Sequence, residues 1–313
     1  MQGLGYLIGA NLLGGASYVA TGWALKSFAA LPLTFWRTLL TAALFLPFIR
    51  GPRLSREDFL RVALVGVFGY AVPLLIGTEG QRLSSATLAS ILIGVEPVSI
   101  VLLSWLFLGE RLTGAKSLGL FAGVCGGALV TLQGRLPALD SLSGEIRGNL
   151  LLALHGFCWS LYTVIGAPAV RRLGAMRFTG LAMFAALPPL AVACLPGVAP
   201  RLGLGPGLDA WTVPGPSAWA AVVLLAFGVG FWGTLFWNRA LELVEASRLA
   251  HFIFLQPVVG IALGLVVERK PLSAWSIAGA ALIGVGIYAV AREDSPARAG
   301  GRRPPCPRSP SAA

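Results

Sequence analysis

The stretch IGVEPVSIVLLSWLFLGER (residues 93–111) sets a carboxylate, Glu96, in the middle of an apolar run and follows it with Pro97. An ionisable side chain at bilayer depth costs about 2.5–3.5 kcal/mol on insertion scales, so such groups are rare and read by default as functional. Pro97 has no N–H to donate to the carbonyl of Ile93, which predicts a freed carbonyl at the level of the carboxylate. A second stretch, IFLQPVVGIALGLVVER (residues 253–269), has the same form, with Gln256, Pro257 and the carbonyl of Ile253 in those places. At an offset of 160 positions Pro97 falls on Pro257, Glu96 on Gln256, Gly119 on Gly279 and Gly126 on Gly286. Chance rarely holds such a register over two helices, so the chain reads as an internal duplication.

Composition fixes the class in which that duplication sits. Of 313 residues, 56% are hydrophobic and 12% charged, with a mean hydropathy of +0.78. No polar surface can cover such a chain, which reads as an all-α integral membrane protein. The net charge of +11 lies in short turns between apolar runs instead of along one face, which fits membrane topology and excludes nucleic acid. Cys125, Cys158, Cys194 and Cys306 are dispersed without metal or redox spacing and read as small packing residues. No cofactor and no metal are expected.

Apolar runs of about 17–25 residues, each long enough to span the hydrocarbon as a helix, recur near 5–24, 30–49, 60–78, 84–108 and 117–133. They recur again near 148–169, 178–197, 217–238, 249–267 and 273–291. This predicts ten transmembrane helices: a five-helix repeat over 1–133, a polar linker over 134–147 and a second five-helix repeat over 148–291. The Pro, Arg and Ser-rich tail 292–313 reads as disordered, and 200–215 as a Gly/Pro loop. Five is odd, so the second unit enters from the opposite side and the repeat is inverted. With both termini cytoplasmic, one side collects Arg50, Arg53, Arg56, Arg61, Arg111, Lys116, Arg171, Arg172, Arg177, Arg239, Arg248 and Arg292. The other side holds Lys26, Arg82, Arg135, Arg147, Arg201, Arg269 and Lys270. The excess on the first side favours that orientation in the cell (plasma or inner) membrane. The first run carries Asn11 and no A-x-A-like site, so a cleaved leader is not expected.

The ten-run inverted pattern, FWRTLLTAALFLPF (35–48), EPVSIVLLSWLFLGERLT (96–113) and QPVVGIALGLVVERKPLS (256–273) resemble the EamA-type carriers of the drug/metabolite transporter superfamily. The resemblance covers about residues 5–291. It implies one central cavity, alternating access, no ATP hydrolysis, and a substrate drawn from amino acids, amines, sugars or other metabolites. One position departs from internal symmetry: at an offset of 142, Arg37 falls on Thr179.

Chemistry concentrates in few places. Glu96 reads either as a packing acid or as a substrate or proton site, able to hold the ammonium of an amino acid or amine. Asn11 and Tyr18, and at an offset of 144 His155 and Tyr162 with Trp159, form stripes on single helix faces. These stripes are core packing or cavity wall. Trp232 is placed toward the cavity and Trp237, beside Arg239, at the interface. Arg37, deep in its helix, calls for a structural ion pair with Glu96 or Glu79. His251 is left open between core and switch. GLFAG (119–123) and AALIG (280–284) predict close packing of two helices, with each other or across a dimer. An enzyme is disfavoured, since two histidines on separate runs and the absence of H-E-x-x-H and G-x-S-x-G supply no catalytic set. The reading is a secondary transporter, an exporter of small metabolites in the lipid bilayer, monomeric or homodimeric. A channel-like pore, a non-transporting scaffold subunit and a lipid-flipping carrier are the alternatives. Proton coupling is left open.

Overall fold

Inside a bilayer no water is at hand to satisfy the backbone, so each apolar run must close its hydrogen bonds within itself, and the α-helix does so. The computed structural model describes residues 3–108, 144–201, 214–243, 246–268 and 272–293, with isolated positions between 114 and 129. Among the described residues the regular structure is entirely helical. In chain order the main helices are α1 (Leu4–Ala24), α2 (Ala30–Phe45), α3 (Arg56–Leu83), α4 (Ala86–Leu92) and α5 (Val95–Leu108). They continue as α6 (Gly144–Leu173), α7 (Ala175–Ala193), α8 (Pro216–Leu243), α9 (Leu255–Glu268) and α10 (Ala274–Glu293). Among the described residues six stretches are long and apolar enough to cross a membrane: Ala30–Phe48, Arg56–Leu83, Ala86–Phe107, Gly144–Leu173, Ala175–Ala193 and Pro216–Leu243.

The expected helix near 117–133 and the tail beyond Glu293 lie outside the described residues, apart from those isolated positions. The linker is shorter than 134–147, because α6 begins at Gly144. The sequence GEIR that reads as polar linker is the first turn of that helix, where the acidic Glu145 suits the positive end of the helix dipole.

Three features repeat between the halves. First, α3 and α8 each contain a π-helical stretch, Val65–Ala71 and Leu225–Gly233, whose starts are offset by the same 160 positions. Such stretches shift the phase of the side chains beyond them and gather at functional sites. Second, glycines meet reciprocally. A Cβ added to Gly126 would lie 2.7 Å from the Gly279 carbonyl oxygen, and one on Gly286 would lie 2.8 Å from that of Gly119. Gly119 and Gly126 thus pack against Gly286 and Gly279 within one chain; of the two motifs expected to pack, 119–123 contributes Gly119 and Ala122, whereas Gly284 of 280–284 faces open space. Third, the first helix of each half packs against the interrupted helix of the other: Asn11 Oδ1 accepts from Gln256 Nε2 at 2.9 Å, and Ser160 Oγ donates to the Glu96 carbonyl at 3.0 Å.

The interruptions differ from expectation in one respect. Helix α4 stops at Leu92 and α5 starts at Val95, so Pro97 sits in a first turn, where a missing N–H leaves no bond unmade. The Ile93 carbonyl is not free, however, because it accepts from Glu96 N at 2.8 Å. In the other half a 3₁₀ turn, Ala250–Phe254, leads into α9, and the Leu255 N–H points back to the carbonyls of Ile253 and Phe252. In both places the chain tightens and the carbonyl expected to be exposed finds a local donor.

The two ends of the bundle are unlike. At one end Ser55 Oγ caps α3 by accepting from Asp58 N at 3.1 Å, and Arg172 at the end of α6 grips Asp58 Oδ1 through Nε at 2.9 Å and Nη2 at 2.6 Å. Nearby, Glu242 accepts from the N–H of Ala175 and Arg177 donates to the Pro52 carbonyl, so α2, α3, α6, α7 and α8 are tied together. At the opposite end Ser84 Oγ donates to Asn149 Oδ1 at 2.6 Å.

Candidate substrate cavity

A cavity of about 110 Å³ lies between the halves. Its wall on α3 comprises Tyr70, Leu74, Gly77, Thr78 and Gln81, and its wall on α6 comprises Leu152, His155 and Trp159. Helix α3 leaves the Asp58–Arg172 end and α6 arrives there. These two walls run from mid-depth toward the opposite end, whereas Gly230, Gly233, Thr234 and Trp237 on α8 run from mid-depth toward the Asp58–Arg172 end, so the cavity is centred at mid-depth. Tyr18, Glu96 and Gln256 also line it, so the interrupted helix of each half contributes its equivalent residue.

The aromatic wall is built around Trp159. Its ring lies 5.6 Å from that of Tyr70 and 6.1 Å from that of His155, and it stacks at 5.3 Å on Tyr162. His155 Nδ1 lies 2.7 Å from the Pro73 carbonyl. A carbonyl only accepts, so Nδ1 carries the hydrogen and Nε2 is left for other partners. The ring fits because residue 77 is glycine: a Cβ there would fall 2.5 Å from Nδ1. Amides steady the other wall. Tyr18 donates to Gln256 Oε1 at 3.4 Å, and Gln81 Nε2 donates to the Tyr18 carbonyl.

Several expected wall residues lie elsewhere. Tyr162 is fully buried behind Trp159, where its hydroxyl accepts from Asn238 Nδ2 at 2.6 Å. Asn238 also donates to Thr179 Oγ1 at 2.7 Å, so the residue at the position matching Arg37 is part of a packing network. Asn11 is likewise buried, with Nδ2 bonded to the Leu7 carbonyl at 2.7 Å, and supports Gln256 from behind. The two tryptophans of α8 exchange roles. Trp232 is on the outer surface among Phe227, Phe231 and Phe236, whereas Trp237 lines the cavity and donates to Thr163 Oγ1 at 3.3 Å. The cavity face of α8 carries Gly230, Gly233, Thr234 and Trp237, at i, i+3, i+4 and i+7, and position 232 is off that face.

The structural ion pair expected for Arg37 is not formed among the described residues. Glu79 is held by Arg82 at 2.6 and 2.7 Å, three residues along its own helix. Arg37 is instead buried on the cavity wall of α2. Glu96 is also buried, and its Oε1 has no hydrogen-bond partner. The side chain of His251 lies outside the described residues. No group of three or more His, Cys, Asp or Glu side chains capable of holding a metal occurs among the described residues.

Sequence reasoning misses Tyr70, Gln81, Trp237 and the wall position of Arg37. A signal for Gln81 is present: Leu74, Gly77, Thr78 and Gln81 follow i, i+3, i+4, i+7 spacing, a small and polar stripe on an apolar helix.

Apolar helices long enough to cross a membrane, packed around a mostly apolar cavity with a few polar side chains, fit a multi-pass membrane transporter. The chain belongs to the EamA-like transporter family, whose sequence pattern matches residues 1–132 and 146–292, and as a member it is a transporter and not an enzyme. It is 26% identical over 280 residues to an uncharacterized transporter of Archaeoglobus fulgidus, covering 89% of this chain and 95% of that one. It is 27% identical over 249 residues to a protein of Streptantibioticus cattleyicolor named "Probable terminal-alkyne amino-acid exporter", covering 78% and 76%. A solved crystal structure superposes with a TM-score of 0.66 at 20% identity, covering 94% of this chain and 99% of that one, which shows likeness of fold.

Proposed function

We propose that this transporter is a secondary carrier that exports small organic metabolites, amino acids or amines, by alternating access around the central cavity. The observation that carries the proposal is the cavity at mid-depth, to which the interrupted helices of both halves bring Glu96 and Gln256, while at one end Arg172 holds Asp58 and so ties α6 to α3. The further reading is ten spans in two inverted five-helix repeats, 1–133 and 148–291, with both termini cytoplasmic in the cell membrane. Two separate family matches, the π-helical stretches offset by 160 positions and the reciprocal glycine contacts support it. The name of the Streptantibioticus relative favours an amino-acid cargo.

Cysteine accessibility in intact cells tests the orientation. In a chain with its own cysteines replaced, Thr78→Cys in the cavity and a cysteine placed within 138–144 will react with an impermeant maleimide from outside. Tags at both termini will be reached only after permeabilisation. Labelling of 138–144 only in inverted vesicles would reverse the topology.

A further inference from the structure

We infer that the cavity selects zwitterions, with Arg37 receiving the carboxylate and Glu96 the ammonium of one amino-acid molecule. Both side chains are buried on the wall of the same cavity, on α2 and α5. Neither has an ion-pair partner among the described residues, and they do not pair with each other; the one other carboxylate near this level of α3, Glu79, is occupied by Arg82. A buried charge without a counter-charge is strongly unfavourable. Two such charges of opposite sign, kept apart on different helices, are what a ligand carrying both signs would satisfy at once. An amine would neutralise Glu96 and leave Arg37 bare, and a simple acid would do the reverse.

The neighbours match the two poles. Tyr18, Tyr70 and His155 line the same cavity as Arg37 and Glu96. A guanidinium presents two parallel N–H groups to a carboxylate, whereas Glu96, acceptor-only when ionised, suits an ammonium. The rings of Tyr70 and Trp159, 5.6 Å apart, give the site an apolar face suited to an aliphatic or aromatic side chain. The sequence suggests a structural role for Arg37; the missing partner changes that role to binding.

The assignment rests on the carrier reading above, and the test separates the two. Binding to purified protein is measured by calorimetry for matched trios: alanine, leucine and phenylalanine, each with its decarboxylated amine and its deaminated acid. In the natural chain at least one amino acid will bind about tenfold or more tightly than its amine and its acid, the difference a charge-assisted contact carries. Arg37→Gln will weaken the amino acid and the acid but leave the amine unchanged. Arg37→Lys will restore part of the loss. If Arg37→Gln does not fold, the order within the trios together with Arg37→Lys decides. An amine or acid that binds as tightly as its amino acid, or an Arg37→Gln that weakens all three alike, overturns the assignment. So does failure of every trio to bind, and saturable exchange of some other solute by the same preparation would leave the carrier reading standing.

Discussion

Glu96→Gln will fold, insert and resist heat at least as well as the natural chain, yet will lose about tenfold or more of its transport and all drive from a proton gradient. The stability half of this expectation follows from Oε1, which is buried without a partner; replacing an uncompensated acid by a neutral amide of the same shape removes a burden from the fold. The activity half follows from chemistry. An acid that must give up its proton to hold an ammonium group, and takes one back when the site empties, exchanges a proton for a substrate molecule. Glutamine cannot do so, and it restores the symmetry with Gln256. Melting curves and uptake into proteoliposomes, with and without a pH gradient, check both halves. Unchanged dependence on the gradient would make Glu96 a packing residue.

Tyr162→Ala will destabilise the protein by about 3–5 kcal/mol, the range for truncating a large buried aromatic, and the loss of transport that follows will track loss of folded protein. Tyr162 has no exposed surface and fixes Asn238 and Thr179 at the contact of α6, α7 and α8. Trp159→Ala is the contrast, because that ring is half-buried and borders the cavity. It will lower transport with a smaller change in melting temperature. Fluorescence-detected size exclusion after heating, run beside the transport assay, distinguishes the two. Equal thermal loss in both variants would place Trp159 in the core as well.

The all-helical membrane class is legible because the bilayer constrains sequence strongly: a helix crossing it must be apolar along its length. What was not legible depends on the third dimension. Trp159 and Tyr162 lie close enough on one helix to seem equivalent, but a spacing cannot say that α7 covers Tyr162 and leaves Trp159 uncovered. Trp232 and Trp237 were exchanged because the direction in which α8 faces its neighbours, across a π-helical stretch, is not written in its residues. Burial of Arg37 calls for an ion pair, but Glu79 is held by Arg82 on its own helix. The freed Ile93 carbonyl followed correctly from Pro97, but the chain turned tightly enough to offer it the Glu96 N–H instead.

Alternating access requires the end at which Arg172 holds Asp58 to open in every cycle. Cysteines placed at both positions, in a chain with Cys125, Cys158, Cys194 and Cys306 replaced, can be joined through two disulfides by a short bis-methanethiosulfonate, which releases methanesulfinate, and the link is cut by a reductant. Counterflow of labelled substrate is then measured in proteoliposomes before joining, after joining and after cleavage. The account predicts saturable exchange that stops when the residues are joined and returns when the link is cut. Undiminished exchange through fully cross-linked protein would contradict it.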